Sequence, residues 1–310
     1  MMKYHYIFGP VPSRRLGRSL GVDLVPPKTC SYDCIFCQLG RTTNKTAELA
    51  AYAPAQEILE ELKSKLSEIP APDYITLSGS GEPTLHSQMG DIIRGIRQIT
   101  AIPIAVITNG SLLWMPEVRR ALADADVVLP SLHAGESALF QRINRCAPDI
   151  SFEAMADGLI RFREEFKGQI WLEVFIMAGI NDSDEDIKKV ANLTSRIRPD
   201  KVQLNTATRP TSEKNVRPVD AQRLHEIAQM FDPPAEVIAD YKTANAVFHN
   251  EAHIADVLDL IARHPSTAED VAESMNISSE NAERIISNLL AQGLISVDIV
   301  GDKIYYKKQI

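Results

Sequence analysis

Between residues 55 and 230, short apolar runs alternate with longer segments whose apolar residues recur at helical spacing. That alternation restricts the chain to folds built on a parallel sheet. The runs are 74–77, 104–107, 127–132, 169–177 and 201–204, and the helical segments are 55–67, 86–98, 116–123, 152–166, 185–197 and 220–230. An earlier strand, 19–25, is stopped by Pro26-Pro27, and residues 8–18 before it read as a loop punctuated by glycine and proline. Six strand–helix units follow from this count, and each strand feeds a loop at its C-terminal end, the edge where catalytic loops gather in parallel α/β barrels.

The first such loop holds Cys30, Cys34 and Cys37, spaced Cys-x3-Cys-x2-Cys. Structural zinc wants four protein ligands, usually as two separated pairs, and no second Cys or His pair stands nearby. A four-iron four-sulfur (4Fe-4S) cluster fits better, because each iron wants a terminal ligand and three cysteines leave one iron open to a group that is not protein. A structural or disulfide role is the alternative, but a cytosolic chain has little use for disulfides. The N-terminus lacks an apolar signal core and no stretch approaches the ~20 apolar residues of a membrane helix, so a cytoplasmic setting without a membrane partner is expected.

This spacing, with Phe36 before the last cysteine, resembles the signature of the radical S-adenosylmethionine (SAM) superfamily. The resemblance is strongest at residues 8–43 and 77–85, and points to the branch grouped with the wyosine-type tRNA-modifying enzymes. It implies a partial (β/α)6 TIM-like barrel, open on one side for substrate, with a 4Fe-4S cluster and S-adenosylmethionine as cofactors. In that superfamily the open iron chelates SAM, and reductive cleavage yields a 5′-deoxyadenosyl radical that abstracts hydrogen from the substrate. A low-potential donor such as flavodoxin or ferredoxin is implied as partner. Gly79, Ser80, Gly81 and Glu82 look like a variant of the superfamily's Gly-Gly-Glu-Pro element, which holds the SAM amino group; an ordinary Gly-Pro turn is the alternative. By position, Asn109 and Ser131 would face the ribose and sulfonium side of SAM, Arg145 its carboxylate, and Asn181 its adenine through the backbone. Asn181, Asp182 or Ser183 could equally cap the next helix. Relatives tend to carry Asp where this chain has His133, which reads either as a proton donor or substrate contact or as a structural histidine. Cys146 reads as a hydrogen-atom donor or as a small buried hydrophobe. Gln203, Asn205 and Arg209 reach the same rim and are candidate substrate contacts.

Charge bears on the partner. The chain carries −8 overall, yet residues 1–46 hold seven Lys and Arg against two Asp. These cations either offset the cluster and the SAM carboxylate or seat an anionic group of the substrate. After residue 234 the alternation stops. Helices at 256–262, 267–275 and 279–292, with Ser278 or Ser279 as cap and Gly293 as stop, then strands at 294–300 and 303–308, resemble a small C-terminal winged helix-turn-helix domain. The expected organisation is a barrel at 1–240, a linker at 241–251 and the tail domain at 252–310. The tail holds five basic against nine acidic residues, which argues against duplex DNA and for a protein-binding, substrate-presenting or barrel-docking role. A small molecule, a peptide or tRNA all stay open as substrate. An iron–sulfur-responsive DNA-binding regulator is the reading from another class.

Overall fold

The structure, a computed structural model, describes residues 4–239, 254–263, 265–275 and 277–309, and only the backbone of residues 255, 256 and 259. The expected linker, 241–251, lies outside the described residues, as does Asn276 in the expected helix-turn-helix turn.

Proline does not keep residues 8–18 out of the sheet. Ile7–Ser13 forms β1, antiparallel to β2 (Gly17–Val22), and the register shifts between Phe8 and Val11, around Pro10. β1 is the terminal strand of the sheet, where a residue without an N–H is tolerated, so a Gly/Pro pattern that reads as a loop is an edge strand instead.

The chain then crosses the sheet edge as the cysteine loop, which contains a two-residue parallel bridge between β3 (Thr29–Cys30) and β4 (Asn44–Lys45). Helices and strands alternate from there: α1 (Ala55–Glu68), β5 (Tyr74–Leu77), α2 (Met89–Ile99), β6 (Ile104–Thr108), α3 (Pro116–Ala121) and β7 (Val127–Pro130). They continue as α4 (Ser137–Asn144), α5 (Phe152–Glu165), β8 (Gln169–Ile176), α6 (Asp184–Ile197), β9 (Lys201–Thr206), α7 (Ala221–Ala228) and β10 (Glu236–Val237). From β2 to β10 all pairs in the main sheet are parallel, in the order β2-β5-β6-β7-β8-β9-β10. This is the expected α/β partial barrel. Both faces of the sheet are apolar, as a helix-covered parallel sheet requires: Val128 and Leu172 join the main core, while Leu16, Ala105, Val127, Leu129 and Trp171 form a second cluster.

Side chains start the helices where expected. Ser151, Ser183 and Asp220 each accept a backbone N–H three residues on, at the starts of α5, α6 and α7. The helix expected from residue 86 begins instead at Met89, because Pro83–Leu85 forms a 3-10 turn. The eight-residue α4, not among the expected helices, ends at Arg145 in the left-handed region (φ +47°).

The tail comprises α8 (Ile254–Arg263), α9 (Ala268–Met275) and α10 (Ser279–Ala291), then the antiparallel pair β11 (Ile295–Val300) and β12 (Lys303–Lys308). Ser278 caps α10. Val257, Leu260, Val271, Ile277, Ile285, Leu289 and their neighbours make a separate apolar core, against which Val11 of β1 packs. α8 and α9 lie on β1, covering the sheet edge that would otherwise be open. The Tyr305 hydroxyl donates to the Thr208 carbonyl at 2.9 Å, a second tie to the barrel. Among the described residues no helix is long and apolar enough to cross a membrane.

Candidate active site

The cysteine loop is held by backbone on both flanks. The N–H groups of Asp33 and Ile35 donate to the carbonyls of Asn144 and Ile143 at the end of α4, at 2.9 and 3.0 Å. From the other side Ser212 Oγ donates to the Cys34 and Ile35 carbonyls at 2.9 and 2.8 Å. Two side-chain amides point at the thiols: Asn109 Nδ2 lies 3.5 Å from Cys30 Sγ, and Asn144 Nδ2 lies 3.4 Å from Cys34 Sγ. Burial, then Glu82, pushes the Cys30 thiol up to about 12, while burial and the other two thiols push Cys34 up. Burial and Asp33 raise Cys37. Three thiols this hard to ionise need a cationic partner to become thiolates together. Among the described residues no three His, Cys, Asp or Glu side chains form a single-ion site. The donor set, all sulfur with amide N–H groups aimed at it, suits an iron–sulfur cluster.

The glycine-rich loop after β5 is stitched to the cysteine loop. Lys28 N–H donates to the Ser80 carbonyl at 2.7 Å and Glu82 N–H to the Thr29 carbonyl at 3.1 Å. Gly81 makes this approach possible, because a Cβ there would lie 1.9 Å from the Thr29 oxygen. The Glu82 carboxylate, expected to reach SAM, is committed to the protein. Its Oε1 accepts from Thr84 N–H (3.1 Å), Thr84 Oγ1 (2.5 Å) and Thr108 Oγ1 (2.6 Å), and its Oε2 accepts from Asn109 N–H at 2.7 Å. Glu82 thus ties the loop to the end of β6, leaving loop backbone to face a ligand. Asn109 Nδ2 also donates to Ser31 Oγ at 2.8 Å, which places it between the two loops beside Cys30.

At the next strand ends an aromatic group forms. Phe36 stacks on Phe175 (4.4 Å, 16°) and meets the His133 ring edge-on at 4.8 Å. His133 Nδ1 accepts the Phe175 N–H at 3.1 Å, which assigns the proton to Nε2, and burial pushes the ring down to about 4. A protonated His133 is therefore unavailable as an acid near neutral pH. Because its folded value lies below the ordinary ~6.5, the unfolded chain takes up a proton between those values that the native state refuses. Stability should fall as pH drops from about 6.5 to about 4, by on the order of 3 kcal/mol at the acid end. His133→Gln, which keeps an acceptor, should flatten that part of a pH series of urea unfolding. An unchanged slope would assign the pH dependence elsewhere.

Asn181 does not face a ligand with its side chain: its amide donates to the His133 and Phe175 carbonyls, both at 2.9 Å, and its oxygen accepts Met177 N–H at 2.7 Å. Ser131 is half-buried and bridges to Glu173. Arg145 pairs with Glu213 at 2.6 Å, which also pairs with Arg41 at 2.9 Å, and the Arg145 side chain stays 34% exposed. Cys146 is buried in the main core, with Tyr32 and Cys34 as electrostatic neighbours, and burial pushes its thiol up to about 12. That surrounding suits the reading of Cys146 as a small buried hydrophobe. Gln203 Nε2 donates to Glu236 at 3.1 Å, and Arg209 lies 3.7 Å from Asp270 of the tail. Asn205 accepts from Arg14 at 3.3 Å. Arg14 and Arg15 belong to the basic group at 1–46, whereas Glu173 was not among the expected site residues. Arg15 pairs with Glu173, whose position inside the apolar run of β8 was the available signal.

The sequence model of the radical SAM superfamily matches residues 24–194, which include the cysteine loop, the glycine-rich loop and the C-terminal ends of β5 to β8. The chain belongs to the radical SAM superfamily, a superfamily of enzymes. It is 34% identical to a UPF0026 protein of Methanocaldococcus jannaschii over 98% of this chain and 96% of that one. It is also 39% identical, over its whole length, to a protein of Brachyspira hyodysenteriae named GTPase Obg, of which it spans 46%. In fold it resembles a radical SAM methyltransferase from Sphaerobacter thermophilus (TM-score 0.55, 18% identity, 73% of this chain and 67% of that chain). It likewise resembles TYW1 with a lysine-pyruvate adduct bound (TM-score 0.53, 17% identity, 77% of this chain and 78% of that chain).

Proposed function

We propose that the protein is a SAM-cleaving radical enzyme with Cys30, Cys34 and Cys37 as the three ligands of a 4Fe-4S cluster, working in a reducing cytoplasm with a flavodoxin- or ferredoxin-type donor. The observation that carries this reading is the junction of the two loops: three half-buried cysteines share one rim with a glycine-rich loop hydrogen-bonded to Lys28 and Thr29, just before Cys30. When bound, the cluster supplies the open iron that chelates SAM and the electron that releases the 5′-deoxyadenosyl radical for hydrogen abstraction. The chain's own part is positional. Asn109 and Asn144 donate to the sulfurs of Cys30 and Cys34, and Glu82 holds the glycine-rich loop so that the Gly79–Ser80–Gly81 backbone can receive the SAM amino group. The Phe36–His133–Phe175 group walls off water on the adenine side, and Arg14, Arg15, Glu173 and Asn205 offer polar contacts to a substrate.

Modification of a tRNA base in the manner of the wyosine-forming enzymes is the more specific reading, favoured by the excess of basic residues at 1–46. The acidic tail, proposed as a winged-helix domain at 252–310, does not suit duplex DNA, and the regulator reading is set aside on that ground. Protein reconstituted with iron and sulfide under anaerobic conditions and chemically reduced is expected to convert SAM to 5′-deoxyadenosine. Full cluster content and measurable SAM binding with no product would overturn the catalytic reading.

A further inference from the structure

Arg263, the last residue of α8, leaves the tail core and enters the barrel. Its side chain is 11% exposed, and its Nε lies 3.4 Å from Asp23 Oδ2. An Nη donates to the His5 carbonyl at 2.9 Å, and the guanidinium sits 5.0 Å over the ring of Phe8. Asp23, just beyond β2, is 6% exposed and lies between this cation and the glycine-rich loop. The same Oδ2 accepts the N–H and the hydroxyl of Ser80, at 3.1 and 2.6 Å. Gly79, at φ +139°, lies against the carboxylate so closely that a Cβ would come within 2.5 Å of Asp23 Cγ. Ser80 in turn offers its carbonyl to Lys28, two residues before Cys30. One carboxylate thus joins the tail to the loop that abuts the cysteines.

We propose that Arg263 is a positioning residue for SAM: the tail supplies the counter-ion that lets Asp23 hold Ser80, and through it the Gly79–Glu82 backbone, in the shape that binds SAM. The inference rests on the reading of this loop as the SAM seat, and it gives the tail a task at the active site without contact to the cofactor. The physical basis is the asymmetry of buried ion pairs. Removing one partner strands a charge in low dielectric, whereas removing both charges leaves nothing to strand. With Arg263 gone, Asp23 keeps its burial without its counter-ion, and its hold on the two Ser80 donors is weakened.

The test measures SAM dissociation constants by anaerobic equilibrium dialysis on the full-length, cluster-reconstituted protein, with iron content and thermal midpoint recorded beside them. Arg263→Gln is expected to weaken SAM about tenfold, which corresponds to ~1.4 kcal/mol. Arg263→Lys should lose less, and Arg263→Gln combined with Asp23→Asn should regain most of the affinity. A purely structural role for Arg263 would lower the thermal midpoint in the single and double variants without restoring affinity in the double. Wild-type affinity in Arg263→Gln at equal iron content overturns the proposal, as does a double variant no better than the single one. If Arg263→Gln does not accumulate folded, Arg263→Met, which removes the charge and keeps an unbranched side chain, carries the same comparison, and unchanged affinity there overturns the proposal. A wild-type protein with full iron that fails to bind SAM overturns the reading of the loop itself, a failure distinct from that of Arg263.

Discussion

Protein in which Cys30, Cys34 and Cys37 are all replaced by alanine is expected to hold no iron–sulfur cluster and to form no 5′-deoxyadenosine. The loss should far exceed the roughly 10–100-fold that follows from removing an outer partner of a metal ligand. The three thiols are half-buried in one loop clamped between the end of α4 and residues 212–213, and no other sulfur in that loop can take their place. Cys146→Ala is the control. Its thiol belongs to the apolar core, so iron and sulfide content should match wild type, with stability lower by about 1 kcal/mol. Iron and sulfide assays with product quantified beside them decide the matter. Retention of a full cluster by the triple variant would remove the three cysteines as ligands, and loss of iron on changing Cys146 would bring that residue into the ligand set.

The second large effect is expected at Glu82. Glu82→Ala leaves the N–H and hydroxyl of Thr84, the hydroxyl of Thr108 and the N–H of Asn109 without their acceptor, at a site where Glu82 itself is 2% exposed. A network of this kind costs about 3–5 kcal/mol when its centre is removed. Glu82→Gln keeps the shape and one oxygen but turns an NH2 group toward donors, so roughly half that loss is expected. Urea midpoints at constant slope check both values. The same variants should bind SAM more weakly even where folded, since Asn109 and the glycine-rich backbone are held through this carboxylate. A midpoint within about 0.5 kcal/mol of wild type for Glu82→Ala would show that the loop finds other acceptors.

Much of the architecture could be read in the chain because it rests on local regularities. The alternation of apolar runs and amphipathic segments needs a parallel sheet to bury both faces, and the sheet order follows chain order from β2 onward. β1 and α4 are among the elements that escaped that reasoning. β1 carries Pro10 and Pro12, which a central strand would not tolerate but an edge strand does, and edge position is a property of the whole sheet. α4, eight residues between β7 and α5, lies in a stretch read as the loop beyond the fourth strand.

Around the candidate site, the chain marks positions but not directions. Cys30, Cys34, Cys37 and the run Gly79 to Glu82 stand out because spacing and glycine content are visible in one dimension. Whether a polar group there faces a ligand or the protein depends on partners far away in sequence. Glu82 is spent on Thr84, Thr108 and Asn109, Asn181 on carbonyls of residues 133 and 175, and Arg145 on Glu213. Glu82 and Asn181 are buried polar groups that take a nearby acceptor or donor rather than remain unpaired, and which one is nearest is settled only when successive strand ends are brought to the same rim.

By itself, then, the sequence determined the fold class and the two loops where chemistry can gather, because hydrophobic periodicity, proline, glycine and cysteine spacing act over a few residues. Only the tertiary structure decided that Phe36 stacks on Phe175 and that two asparagine amides point at two of the thiols. It alone decided that a tail arginine faces Asp23 under the glycine-rich loop. Those contacts join residues 79 to 240 positions apart, and desolvation and hydrogen-bond pairing choose among them only after the sheet has assembled.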